Sequence, residues 1–89
     1  MPVVLIPTAY RAPTRGKGEV EVEGSTVLDC LRDVEARFPG FLDMVIDEKG
    51  ALHRFVKLFV NEEQIDPSAL DAKIGEHDRV EVLAAIAGG

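Results

Sequence analysis

The chain has 89 residues, 46% of them hydrophobic and 29% charged, values that support one globular domain and argue against an intrinsically disordered chain. Sixteen acidic side chains against ten basic ones leave a net charge of −6. That balance disfavours nucleic acid, which is held largely by Lys and Arg on its phosphates.

The opening, Met1-Pro2-Val3-Val4-Leu5-Ile6-Pro7, has no basic n-region and too short an apolar stretch for a signal peptide. No apolar run approaches the twenty residues a membrane helix needs. A cytoplasmic address and no membrane contact are therefore expected. Val3 to Ile6 reads as a strand, with Pro7 limiting its pairing. Arg11 to Gly18 carries Pro13, Gly16, Gly18 and three basic side chains, and reads as a loop. Glu19-Val20-Glu21-Val22-Glu23 alternates strictly, which predicts a strand with one face buried and the other wet. A hairpin with a long connection follows.

Gly24-Ser25-Thr26 ends that strand and opens a helix. Thr26 with Asp29 resembles a capping box, and Ser25 is an equal candidate for the cap. Val27, Leu31, Val34 and Phe38 recur at helical spacing, while Asp29, Arg32, Asp33 and Arg37 project elsewhere. Pro39-Gly40 terminates the helix. Cys30 falls at the margin of the apolar face and reads as a small half-buried hydrophobe rather than a reactive thiol.

Phe41 to Ile46 suggests a short helical turn, followed by a loop at Asp47 to Gly50. His53 to Val60 predicts a strand with Val56, Leu58 and Val60 on one face and Phe55, Lys57 and Phe59 on the other. Asn61-Glu62-Glu63-Gln64 turns the chain, Ile65 returns to the core, and Asp66-Pro67-Ser68 turns it again. Gly75-Glu76-His77-Asp78 leads into a last strand, Arg79 to Leu83.

This order specifies an α+β class: a mixed sheet of four to five strands with one main helix across one face. The first and last strands are adjacent and parallel, because everything else lies between them. That is the β-grasp, or ubiquitin-like, arrangement. The expected organisation is one β-grasp domain over 1–83 and a flexible tail over 84–89.

The tail ends in Gly88-Gly89, a pair that falls at a terminus by chance in roughly 0.5% of chains. Glycine has no Cβ, so such an ending passes through a narrow channel. It suits a chain whose own C-terminal carboxylate is the reactive group; a frayed end is the plain alternative.

A β-grasp chain of this length with this ending resembles the ubiquitin-like sulfur-carrier family of the ThiS, MoaD and CysO types, and most nearly the cysteine-biosynthesis type. The residues that carry the likeness are Ile6-Pro7-Thr8, His53-Arg54-Phe55-Val56, Val60-Asn61-Glu62-Glu63 and Ala87-Gly88-Gly89. Many relatives have a proline just before the tail, where this chain has Ala84-Ala85.

The resemblance implies that a separate ubiquitin-activating-like adenylyltransferase uses ATP and Mg²⁺ to adenylate Gly89. Sulfur from sulfide, a persulfide or a thiosulfate-derived donor then displaces AMP and leaves a thiocarboxylate. The chain is thus expected to be a protein cosubstrate, not an enzyme, and to bind no cofactor or metal itself. Gly88 and Ala87 would thread the tail into each active site. The sulfur would pass to a biosynthetic enzyme, a cysteine synthase-like or other synthase. On the cysteine route a peptidase releases the product. Feeding of thiamin, molybdopterin or a specialised metabolite stays open, and so does conjugation of Gly89 to lysines as a protein modifier. A β-grasp adaptor with an incidental tail is the third class.

Docking needs a patch away from the tail. Alternation points Phe55, Phe59 and Leu83 away from the helix, and Phe59 and Leu83 occupy places similar to the apolar patch of ubiquitin. Exposed clusters of large apolar side chains usually mark partner surfaces. The plainer alternative is that Phe55 or Phe59 covers the segment around Phe41 to Ile46.

Other signals lead elsewhere or nowhere. Gly18, Gly24, Ser25 and Thr26 faintly suggest a phosphate loop, but no lysine follows and a strand intervenes. One cysteine cannot hold an iron–sulfur cluster or close a disulfide, and His53 and His77 lack metal-ligand spacing. Glu62-Glu63 reads as a solvated turn rather than an acid–base pair.

Overall fold

The computed structural model describes residues 1–84. The strands are β1 (Val3–Leu5), β2 (Glu19–Glu21), β3 (Val56–Val60), β4 (Glu63–Gln64) and β5 (Arg79–Ala84), with helices α1 (Val27–Arg37) and α2 (Leu42–Val45). They form one five-stranded sheet in the order β2-β1-β5-β3-β4. β1 and β5 are central and parallel, Val3 beside Arg79 and Leu5 beside Glu81. The pairs β1–β2 and β3–β5 are antiparallel. The architecture is a β-grasp.

Even-numbered strand positions face α1. Val4, Ile6, Val20, Val22, Val56, Leu58, Val80 and Val82 are buried there against Val27, Cys30, Leu31 and Val34. Each such side chain contributes about 1.5–3 kcal/mol by leaving water. Cys30 lies in the middle of the apolar stripe, not at its margin as expected: Val27, Cys30, Leu31 and Val34 follow the i, i+3, i+4, i+7 rule, and all four are fully buried.

Thr26 is the N-cap of α1, accepting a hydrogen bond from the Asp29 amide at 3.1 Å. Ser25 is recruited as well, its hydroxyl donating to the Asp29 carboxylate at 3.2 Å. Gly40, at φ +105°, reverses the chain beyond the helix. The Glu35 carboxylate accepts from the amides of Gly40 (3.1 Å) and Leu42 (2.8 Å). That clamp drives Phe41 into the core, where it is fully buried.

Three boundaries differ from the sequence expectation. β3 begins at Val56 rather than His53, because the Val56 amide donates to the His53 carbonyl at 2.9 Å and closes a turn over His53–Phe55. Asn61-Glu62 forms a two-residue hairpin loop, so Glu63 and Gln64 become the short strand β4, Val60 opposite Glu63. Ala84, expected to open the tail, is the last residue of β5 and lies opposite Val56.

Candidate functional site

The face of the sheet turned away from α1 is built by the odd-numbered strand residues. Register sets Lys57 opposite Leu83 and Phe59 opposite Glu81, with Leu5 on the other side of Glu81. Phe59 and Leu83 are therefore diagonal neighbours on one face, within reach of each other's side chains. Leu83 is 37% exposed and Phe59 half-buried. Phe55 is 45% exposed but sits on the turn before β3, not on the strand. The Arg54 guanidinium lies over its ring, 4.9 Å from the centroid. Phe55 thus stands beside the patch without continuing its alternation. Phe41, not Phe55, fills the space under α2.

On the β1 side, Leu83 borders an open groove of about 440 Å³ shared with Leu5, Pro7, Thr8, Arg11 and Glu81. Arg11 forms its wall. Its Nε donates to the Ile6 carbonyl at 2.9 Å, and its guanidinium packs flat over Gly18. A Cβ at residue 18 would come within 2.6 Å of Arg11 Nη2, which accounts for glycine there. Beneath the loop, the buried Thr14 hydroxyl lies 2.8 Å from the Lys17 carbonyl and 3.3 Å from that of Arg11. This tie fixes the loop that presents Arg11, Arg15 and Lys17. Residue type alone did not bring Arg11 and Lys57 to opposite sides of Leu83; the three basic side chains of the loop were the one available signal.

The titratable groups with shifted affinities lie off this face. Burial pushes the Cys30 thiol up to about 11, with the nearby Asp29, Asp33 and Asp78 carboxylates adding to the effect. Hydrogen bonds from the Gly75 amide and the Asn61 side chain hold Asp78 below the usual carboxylate value. His53 sits at the turn before β3, its Nε2 3.1 Å from the Asp43 carbonyl. Among the described residues, no three His, Cys, Asp or Glu side chains converge to hold a metal ion. Ala87, Gly88 and Gly89, the expected reactive tail, lie outside the described residues.

The family model of the ThiS family matches residues 4–89. The chain belongs to the ThiS family. Within it, the sulfur carrier protein CysO of Mycobacterium tuberculosis is 38% identical, with 97% of this chain and 96% of the relative covered. A chain in the crystal structure of the Amycolatopsis orientalis BexX/CysO complex is 38% identical, with a TM-score of 0.91 and both chains covered in full. The crystal structure of Mycobacterium tuberculosis CysO is 34% identical at a TM-score of 0.88, covering 97% of this chain and all of that one. The likeness of this ThiS-family chain to CysO thus extends through the whole sheet and helix. No helix among the described residues is long and apolar enough to cross a membrane.

Proposed function

We propose that this ThiS-family protein is a cytoplasmic sulfur carrier whose Gly89 carboxylate is adenylated and then converted to a thiocarboxylate. The observation that carries this reading is the Ala87-Gly88-Gly89 ending, separated by two residues of sequence from Ala84, where central strand β5 stops after presenting the partly exposed Leu83. The CysO relatives named sulfur carriers support it.

A carboxylate is a poor electrophile, since its charge repels nucleophiles and its oxygen leaves badly. Attack of a Gly89 oxygen on the α-phosphorus of ATP expels pyrophosphate and gives a mixed anhydride with AMP. Hydrosulfide then adds at the acyl carbon and AMP departs, so one difficult substitution becomes two easier ones. ATP and Mg²⁺ belong to the activating adenylyltransferase; the carrier supplies the carboxylate and the surface that positions it. In this reading Phe59 and Leu83 dock the carrier, Phe55 lies at the rim of the contact, and Gly88 with Ala87 thread the tail. The carrier is a cosubstrate and not a catalyst. Its sulfur goes to a cysteine synthase-like enzyme, and a peptidase then frees the cysteine.

Intact-mass measurement after incubation with the organism's adenylyltransferase, ATP and sulfide tests the proposal. The expected result is exchange of one oxygen for sulfur, abolished when Gly89 is deleted. An unchanged mass would overturn it, and isopeptide-linked lysines in place of thiocarboxylate would mark a protein modifier instead.

A further inference from the structure

In a chain of net charge −6, charge is sorted by position. Residues 6–18 and 53–57 contain Arg11, Arg15, Lys17, Arg54 and Lys57 and not one Asp or Glu. Half of the ten basic side chains thus sit in two short segments, while all sixteen carboxylates lie elsewhere.

Topology brings those segments to one end of the sheet. The first runs from the end of β1 to the start of β2, where Leu5 faces Glu19. The second leads into β3, whose first residue, Val56, lies opposite Ala84 at the finish of β5. Because β1 and β5 are parallel, both segments flank the end of the sheet at which β5 stops. Leu83 is framed there by Lys57 directly opposite on β3 and by Arg11 across the groove from β1. Among the described residues, the ion pairs are Arg37–Asp33 and Arg79–Glu19, so none of the five cations of these two segments is neutralised by one. The nearest carboxylates on this face, Glu81 and Glu19, line the inner part of the same groove, one row back along the sheet, and Glu19 is engaged by Arg79 at 3.1 Å.

We propose that this basic frame around Leu83 is a docking surface for an acidic rim at the tail-accepting cleft of the activating adenylyltransferase. The proposal rests on the carrier reading and adds the chemistry of the partner. Cations that ring an apolar anchor select carboxylates around an apolar socket. Segregated charge also orients the approaching carrier tail-first, which raises the association rate before any close contact forms. A nucleic acid fits this end less well, since the carboxylates further along the sheet repel a phosphate chain that extends past it.

The test is carrier-dependent ATP–pyrophosphate exchange by the organism's adenylyltransferase, followed over a range of NaCl concentrations. Lys57→Glu is expected to raise KM for the carrier about tenfold, leave kcat unchanged and flatten the salt dependence. The double variant Arg15→Glu/Lys17→Glu is expected to act in the same direction without touching the Arg11 contacts. Arg32→Glu, an equal charge change on the exposed part of α1, is expected to leave KM within about twofold. Equal effects of Lys57→Glu and Arg32→Glu, or a KM indifferent to salt, would overturn the basic frame while leaving the carrier reading intact. Absence of exchange with the unaltered protein would remove the carrier reading itself, and the proposed partner with it.

Discussion

Asn61 and Glu62 both adopt positive φ, 51° and 71°, as a two-residue hairpin loop of the primed type requires. Asn61 is suited to this and is clamped in place. Its side chain donates to Asp78 at 2.9 Å and accepts from the Arg79 amide at 2.9 Å. Glu62 has no such compensation among the described contacts, and a β-carbon at that angle costs on the order of 1 kcal/mol. Glu62→Gly is therefore expected to raise the melting temperature by several degrees, whereas Glu62→Ala, which keeps the Cβ, gains nothing. A glycine variant melting at or below the parent would refute the strain. Cys30 makes a second residue-scale prediction. Its folded pKa of about 11 lies above the ordinary thiol value of 9.0, so the folded state holds this proton more tightly. The stability it contributes is complete below pH 9 and is lost as pH rises from 9 towards 11. Cys30→Ala should flatten that part of the stability–pH curve, and a thiol reagent should label the parent only when it is unfolded. Rapid labelling of the native protein would contradict both the burial and the shift.

At the scale of elements, the N-terminus of α1 and the turn into α2 hold the helical layer together. Thr26→Ala removes the hydrogen bond to the Asp29 amide and is expected to cost about 1 kcal/mol, read from urea unfolding. Asp29 is held below the usual carboxylate value by hydrogen bonds from Thr26 and Ser25, and Asp78 by the Gly75 amide and Asn61. Both contribute stability present above the unfolded carboxylate pKa of 3.8 and lost as pH falls through the lower folded values. Melts should thus shift downward below about pH 4; an acid-independent melting temperature would count against these bonds. Phe41 anchors the other end. Its truncation to alanine opens a cavity beneath α2 and is expected to cost about 3–5 kcal/mol, a large share of the stability of a domain this small. Fluorescence or circular dichroism in denaturant would read it, and a loss below 1 kcal/mol would mean that the site collapses freely.

For the whole molecule, the last buried residue among the described ones is Val82, and Gly88 and Gly89 have no side chains to add to a core. Deleting Gly88-Gly89 is expected to leave the melting temperature within about a degree while abolishing thiocarboxylate formation. A large loss of stability on deletion would mean that the tail belongs to the fold.

The alternation of Glu19–Glu23, the stripe from Val27 to Val34 and the Pro39-Gly40 stop specify a helix packed on a sheet from residue order alone, since period and breakers are local properties of the backbone. The central parallel pair also followed from element order alone. Other features depend on particular contacts that periodicity does not specify. The turn that takes Phe55 out of β3 is set by the His53 carbonyl, and the burial of Phe41 by Glu35. The frame of Arg11 and Lys57 around Leu83 arises where β1 and β3 flank β5, from residues 26 to 72 positions apart in sequence order. Residue types and spacing therefore determined the class of fold and the reactive ending to be tested. Only tertiary structure decided which charges surround the end of β5, because strand register places side chains side by side whatever their separation along the chain.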